Sequence, residues 1–148
     1  MGSYTTKISN TFKIPNIFEK IKQFRIRTSK IEAVMNELEK KRIYNLEDSD
    51  LIKERFFKQP AVAEVLSLTT TILEEKYASS LSYKIEIEYD WDDEDIVIMI
   101  PTKDHNPDID DELFEISELM LKRFGTISNH VFVMSYIAAE ERIENINM

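Results

Sequence analysis

Cysteine is absent from this 148-residue chain. That absence removes disulfides, thiolate nucleophiles and cysteine-ligated zinc together, and it fits a reducing interior. Glycine is nearly absent too, with Gly2 and Gly125 the only two. A backbone without glycine cannot wrap a phosphate closely, so the phosphate-cradling loops of nucleotide enzymes are excluded. Imidazole is limited to His105 and His130. Neither has a nucleophile or further ligand at a spacing that would build a hydrolase or a zinc site. No apolar run reaches the length of a membrane span, and the N-terminus has no apolar stretch like that of a secretory signal. The expectation is a cytoplasmic protein without a membrane span.

What the chain has in abundance is charge, distributed unevenly. Residues 1–44 hold ten Lys/Arg against four Asp/Glu, a net of +6, whereas residues 45–148 hold nine against twenty-four, a net of −15. Blocks of opposite sign raise the local potential even when the total partly cancels, so each end favours a different kind of partner. At this length, and with 43% hydrophobic residues, the chain can build one ordinary core with a helical appendage. The boundary falls between a basic N-terminal arm and helical region at 1–58 and an acidic α+β core at 59–148, the two forming one compact domain.

Residues 4–14 are β-branched and polar, suited to an edge strand or an ordered arm. Pro15 suits a first helical turn, where its missing N–H costs nothing. Ile17, Phe18, Ile21 and Phe24 follow at helical spacing. Thr28 or Ser29 then offers a cap for a second helix, whose stripe is Ile31, Val34, Met35 and Leu38. Asp48-Ser49-Asp50 opens a short helix through Leu51, Ile52, Phe56 and Phe57; Pro60 ends it and opens another, with a stripe from Val62 to Leu73. Tyr83, Ile85, Ile87, Tyr89 and Trp91 alternate with Lys84, Glu86, Glu88 and Asp90, a strand with one apolar and one wet face. Residues 96–100 are apolar on both faces, so both faces are expected to be covered. Asn106 and Pro107 cap a helix carrying Ile109, Leu113, Ile116, Met120 and Phe124, which stops at Gly125. Residues 130–137 make a last strand, and a charged tail follows. The pattern is α+β: an N-terminal helical region, then helix-strand-strand-helix-strand with a small, mainly antiparallel sheet. A crossover that skips one position would put the last strand beside the first, a split βαβ arrangement. Ile85, Ile87, Ile98, Leu113, Ile116 and Val133 are the expected core.

Three groups carry chemistry. Asp90, Asp92, Asp93, Glu94 and Asp95 surround Trp91 at the hairpin, the densest acidic cluster in the chain. It suits a basic partner or a magnesium ion, although charge at a hairpin also serves simply to keep an edge from pairing. Asp104, Asn106, Asp108 and Glu115 fall at positions 1, 3, 5 and 12 of a calcium-loop count. Position 6, however, is Ile109 rather than glycine, and Pro107 signals a helix whose first turn carries acids to suit its dipole. Lys13, Lys20, Lys22, Arg25, Arg27, Lys30 and Lys40-Lys41-Arg42 form the basic counterweight. They suit an acidic protein face, a membrane surface or nucleic-acid phosphates, and the nearest acidic face is the chain's own. No helix-turn-helix glycine turn and no aromatic platform supports base readout.

The expected function is therefore a small non-enzymatic protein-interaction module, in the class of inhibitors, immunity factors and antitoxin-like regulators. Its working surface is the hairpin and its partner is another protein with a basic surface; self-association through the opposite-charge ends is a further expectation. The first alternative is a nucleic-acid-associated regulator using Lys20, Lys22, Arg25, Arg27 and Lys30. The second is a carboxylate-based metal-dependent enzyme. No cofactor is expected beyond calcium or magnesium at those carboxylates.

Overall fold

The computed structural model describes residues 14–138. The expected strand or arm at 4–14 falls almost entirely outside this range, as do Lys13 and the charged tail. The elements in order are α1 (Ile14–Lys40), β1 (Tyr44–Leu46), α2 (Ser49–Lys58), α3 (Pro60–Tyr77), β2 (Ile85–Asp90), β3 (Asp95–Thr102), α4 (Pro107–Phe124), a 3-10 segment (Gly125–His130) and β4 (Val131–Ile137). The architecture is α+β. Four strands run in the order β1-β2-β3-β4, with helices packed on one face.

Inward-facing rows of the sheet follow the alternation legible in the sequence. Leu46, Ile87, Ile98 and Val133 lie side by side across all four strands, and Tyr89, Ile96 and Val131 form the next row. Ile85, Ile87, Ile96, Ile98 and Ile100 are wholly buried under Val65, Leu66 and Leu73 of α3 and Leu113, Ile116 and Met120 of α4. Val133, on edge strand β4, is only partly buried. Ile31, Met35 and Leu38 of α1 and Ile52 and Phe56 of α2 belong to the same core, so residues on both sides of position 58 share it.

Two sequence expectations are corrected. The split βαβ order does not form, and the sheet is mixed: β1 pairs parallel with β2, β2 antiparallel with β3, and β3 parallel with β4. The reason is β1, too short to stand out in the sequence. It occupies the free edge of β2, so the strand returning from α4 has only the edge of β3 to pair with. Tyr44 fixes β1 there, since its hydroxyl donates to the Glu74 carboxylate at 2.8 Å, and Lys41 pairs with the same carboxylate at 2.7 Å. Burial and this bond to Glu74 push the Tyr44 phenol well above its ordinary pKa.

The second correction concerns Thr28 and Ser29, which cap nothing. Thr28 Oγ1 donates back to the Phe24 carbonyl at 2.9 Å within an unbroken α1. A threonine can satisfy its hydroxyl in this way and remain inside a helix. Asn106 does cap α4, its Oδ1 accepting from the N–H groups of Asp108 and Ile109. At the far end Gly125, at φ 69°, takes a positive-φ conformation that favours glycine, and α4 stops there.

Truncating Ile87 to alanine should cost about 2–5 kcal/mol, the range for a packed aliphatic. Chemical denaturation measures it, and a loss within error would show that the Leu46–Ile87–Ile98–Val133 row is not the core.

Candidate partner-binding site

The β2–β3 hairpin carries the acidic cluster, and its local geometry follows from two restraints. Asp90 Oδ1 accepts from the Asp92 N–H at 3.0 Å, closing the entry to the turn. Glu94 adopts a left-handed conformation, φ 56°, which is unfavourable for a residue with a side chain. Arg55, buried on α2, holds it there by donating from Nε to the Glu94 carbonyl at 2.9 Å, and its Nη2 donates to Gln59. Lys58 adds a distant ion pair to the Glu94 carboxylate, at 3.9 Å.

Between these restraints the tip is open. Asp92, Asp93 and Glu94 are exposed, and Trp91 is 68% exposed although it is the chain's only tryptophan. Tyr89 meets the Trp91 ring edge-on, with centroids 5.7 Å apart, and fixes one side of it. Asp95 departs from the expected group. It is buried, and its Oδ1 lies 2.9 Å from His130 Nδ1, so it joins β3 to the start of β4 rather than facing solvent with its neighbours.

The stretch 104–115 is largely helix. Asn106 spends its oxygen on the α4 cap, while Asp108 and Glu115 stand about two turns apart on α4. Nearby, Asp110 accepts from the Ser135 hydroxyl, and the Tyr77 hydroxyl donates to Glu112, which together with burial raises the Tyr77 phenol well above its usual pKa. Among the described residues, the side chains spaced to hold a cation are elsewhere. Glu47, Glu86 and Glu88 bring carboxylate oxygens within 4.8 Å of one another on the face of the sheet away from the helices. Glu47 lies far from the other two in sequence. Only the bond from its N–H to the Ile87 carbonyl, 2.9 Å, brings it alongside β2, which is why sequence spacing did not reveal the trio.

Burial raises the Glu88 carboxyl, and hydrogen bonding and repulsion from Glu86 and Glu47 raise it further. Protonating Glu88 would relieve this crowding.

The cations of α1 are all solvent-facing. Among the described residues, Lys20, Lys22, Arg25, Arg27 and Lys30 lie within ion-pair distance of no acidic group, so α1 does not neutralise the acidic body of its own chain through them. Beside them Ile17, Phe18, Ile21 and Phe24 are exposed, Phe18 by 67%. Among the described residues, no helix is long and apolar enough to cross a membrane. Comparison with protein-family models, with curated proteins and with solved structures finds no match.

A raised Glu88 pKa means that the folded state binds the proton more tightly than the unfolded chain. Stability should therefore fall as pH rises through the folded value and recover as pH is lowered towards the ordinary 4.5. Glu88→Gln should melt higher than the parent at neutral pH, and this advantage should vanish near that ordinary value. A pH-independent difference in melting temperature would show that Glu88 carries no such strain.

Proposed function

We propose that this protein is a non-enzymatic interaction module that binds a basic protein surface through the tip of its β2–β3 hairpin. The observation that carries this reading is Trp91, a large aromatic left open to water at a restrained turn and flanked by carboxylates. Aromatics of this kind dominate binding energy when a partner desolvates them. Asp92, Asp93 and Glu94 would supply the field that steers a cationic partner to the tip. Holding Glu94 in an unfavourable backbone conformation through Arg55 sets the turn before binding, which lowers the ordering cost of association. Restraint of protein partners, as inhibitors, immunity factors and antitoxin-like regulators perform it, requires a surface of this kind and no catalytic residues.

The nucleic-acid alternative rests on the free cations of α1. It is less well supported, because a helix laid along phosphates would leave Ile17, Phe18, Ile21 and Phe24 in water.

Since Trp91 is the sole tryptophan, its fluorescence reports on the hairpin directly. The free protein should emit as a solvated indole and shift to the blue when a partner binds. Affinity capture from the source cell with the parent, with Trp91→Ala and with the triple variant Asp92→Asn, Asp93→Asn, Glu94→Gln should identify a basic protein retained only by the parent. Trp91→Ala should weaken binding by about 2 kcal/mol or more while leaving melting within about 0.5 kcal/mol of the parent. The triple variant should slow association mainly at low salt. Equal capture by all three proteins would remove the hairpin as the working surface.

A further inference from the structure

Among the described residues, two of the surfaces left open complement each other. The first is the sheet face opposite the helices. Its rows run Asn45, Glu86, Met99, Met134 and Glu88, Val97, Phe132. One half, on β1 and β2, is acidic, with Glu47 beside it; the other half, on β3 and β4, is apolar, with Phe132 and Met134 about half exposed. The sequence expectation that β3 is covered on both faces fails among the described residues, since Val97 and Met99 face away from the helices and are only half-buried. The apolar residues expected to be covered are in place, and no described element covers them on this side.

The second surface is the N-terminal half of α1. Because α1 is continuous, the positions Ile17, Ile21, Phe24, Thr28, Ile31, Met35 and Leu38 recur at alternating steps of four and three along one seam. The last three are buried in the core, while Ile17, Ile21 and Phe24 continue the same seam into solvent. Lys20, Lys22, Arg25 and Arg27 flank them.

We propose that the exposed half of α1 in one copy covers the outer sheet face of a second copy, and reciprocally. Ile17, Phe18, Ile21 and Phe24 would lie on Val97, Met99, Phe132 and Met134, with the α1 cations against Glu47 and Glu88. α1 cannot reach this face of its own chain. Ile31, Met35 and Leu38 hold α1 on the helical side of the sheet, and between Asn16 and Lys40 there is no proline or glycine at which α1 could turn round to the other side. Pairing α1 with a second α1 would set Lys20 and Arg25 against their own kind. An anionic membrane would attract α1 and repel the −15 body that carries it. The second copy offers both the apolar area and the opposite charge, and a twofold arrangement buries each surface twice. The proposal does not depend on the hairpin's role.

The test is sedimentation or light scattering of the full chain at micromolar concentration. A dimer is expected at low salt, weakening as salt rises. Phe24→Asp and Met134→Asp, both at exposed positions, should each raise the dissociation constant about tenfold or more, with circular dichroism unchanged. The decisive step is charge exchange. Arg25→Glu/Arg27→Glu and Glu47→Lys/Glu88→Lys should each be monomeric alone and should form a heterodimer when mixed, because only the mixture restores opposite charges at both contacts. A monomeric parent at low salt would overturn the proposal, whether or not α1 then binds anionic vesicles. So would a dimer indifferent to these substitutions, or two charge-reversed variants that fail to associate.

Discussion

The isoleucine face of β2 and β3 is the constraint from which the rest of the structure follows. Ile85, Ile87, Ile96, Ile98 and Ile100 are wholly buried, and helices cover them from one side only. Side chains alternate along a strand, so committing these five inward commits Glu86, Glu88, Val97 and Met99 outward. A one-residue slip would exchange the two sets and bury carboxylates in the core, which ties the register firmly to the hydrophobic pattern. The acidic and apolar halves of the outer face are therefore a consequence of the core. The hairpin inherits its position in the same way. Once the register fixes Asp90 opposite Asp95, the four residues between them must form the turn, and Trp91 must project at its tip.

Charge is arranged around this frame in a way that total charge conceals. Local contacts form at several points: Lys41 meets Glu74, Lys53 meets Glu32 at 2.6 Å, and His130 hydrogen-bonds to Asp95. These contacts tie neighbouring elements together. Among the described residues, what they leave over is patterned: Asp92 and Asp93 at the hairpin tip, and cations along the first half of α1. Exposed ion pairs contribute little to stability, so the uneven distribution has its main physical consequence in what the surface attracts.

Legibility in the sequence tracks how far apart the interacting residues lie. The alternation of β2, the Asn106-Pro107 start of α4 and its Gly125 stop are local signals, and each marks its element correctly. Thr28 and Ser29 mislead because the same hydroxyl chemistry serves a cap and an i−4 bond inside a helix, and only the surrounding helix decides between them. β1 is three residues long and pairs with a strand some forty positions later, which no local pattern announces. Without β1 in the pattern, the edge of β2 reads as the place for β4. The Glu47–Glu86–Glu88 trio was invisible for the same reason, although the Glu86 and Glu88 half of it stood plainly in the alternation.

One disagreement between sequence and fold points beyond the single chain. Val97 and Met99 on β3, with Phe132 and Met134 on β4, give two adjacent strands that are apolar on both sides, the pattern of a parallel pair covered twice. Parallel pairing of β3 with β4 is what the structure contains, yet helices cover it once. The unburied stretch of the α1 seam is a second conflict of the same kind, since Ile17, Ile21 and Phe24 keep the phase of Ile31, Met35 and Leu38 without sharing their burial. Among the described residues the pattern is specified in two places and left open in both, and the proposed association of two copies would let each place fulfil the other.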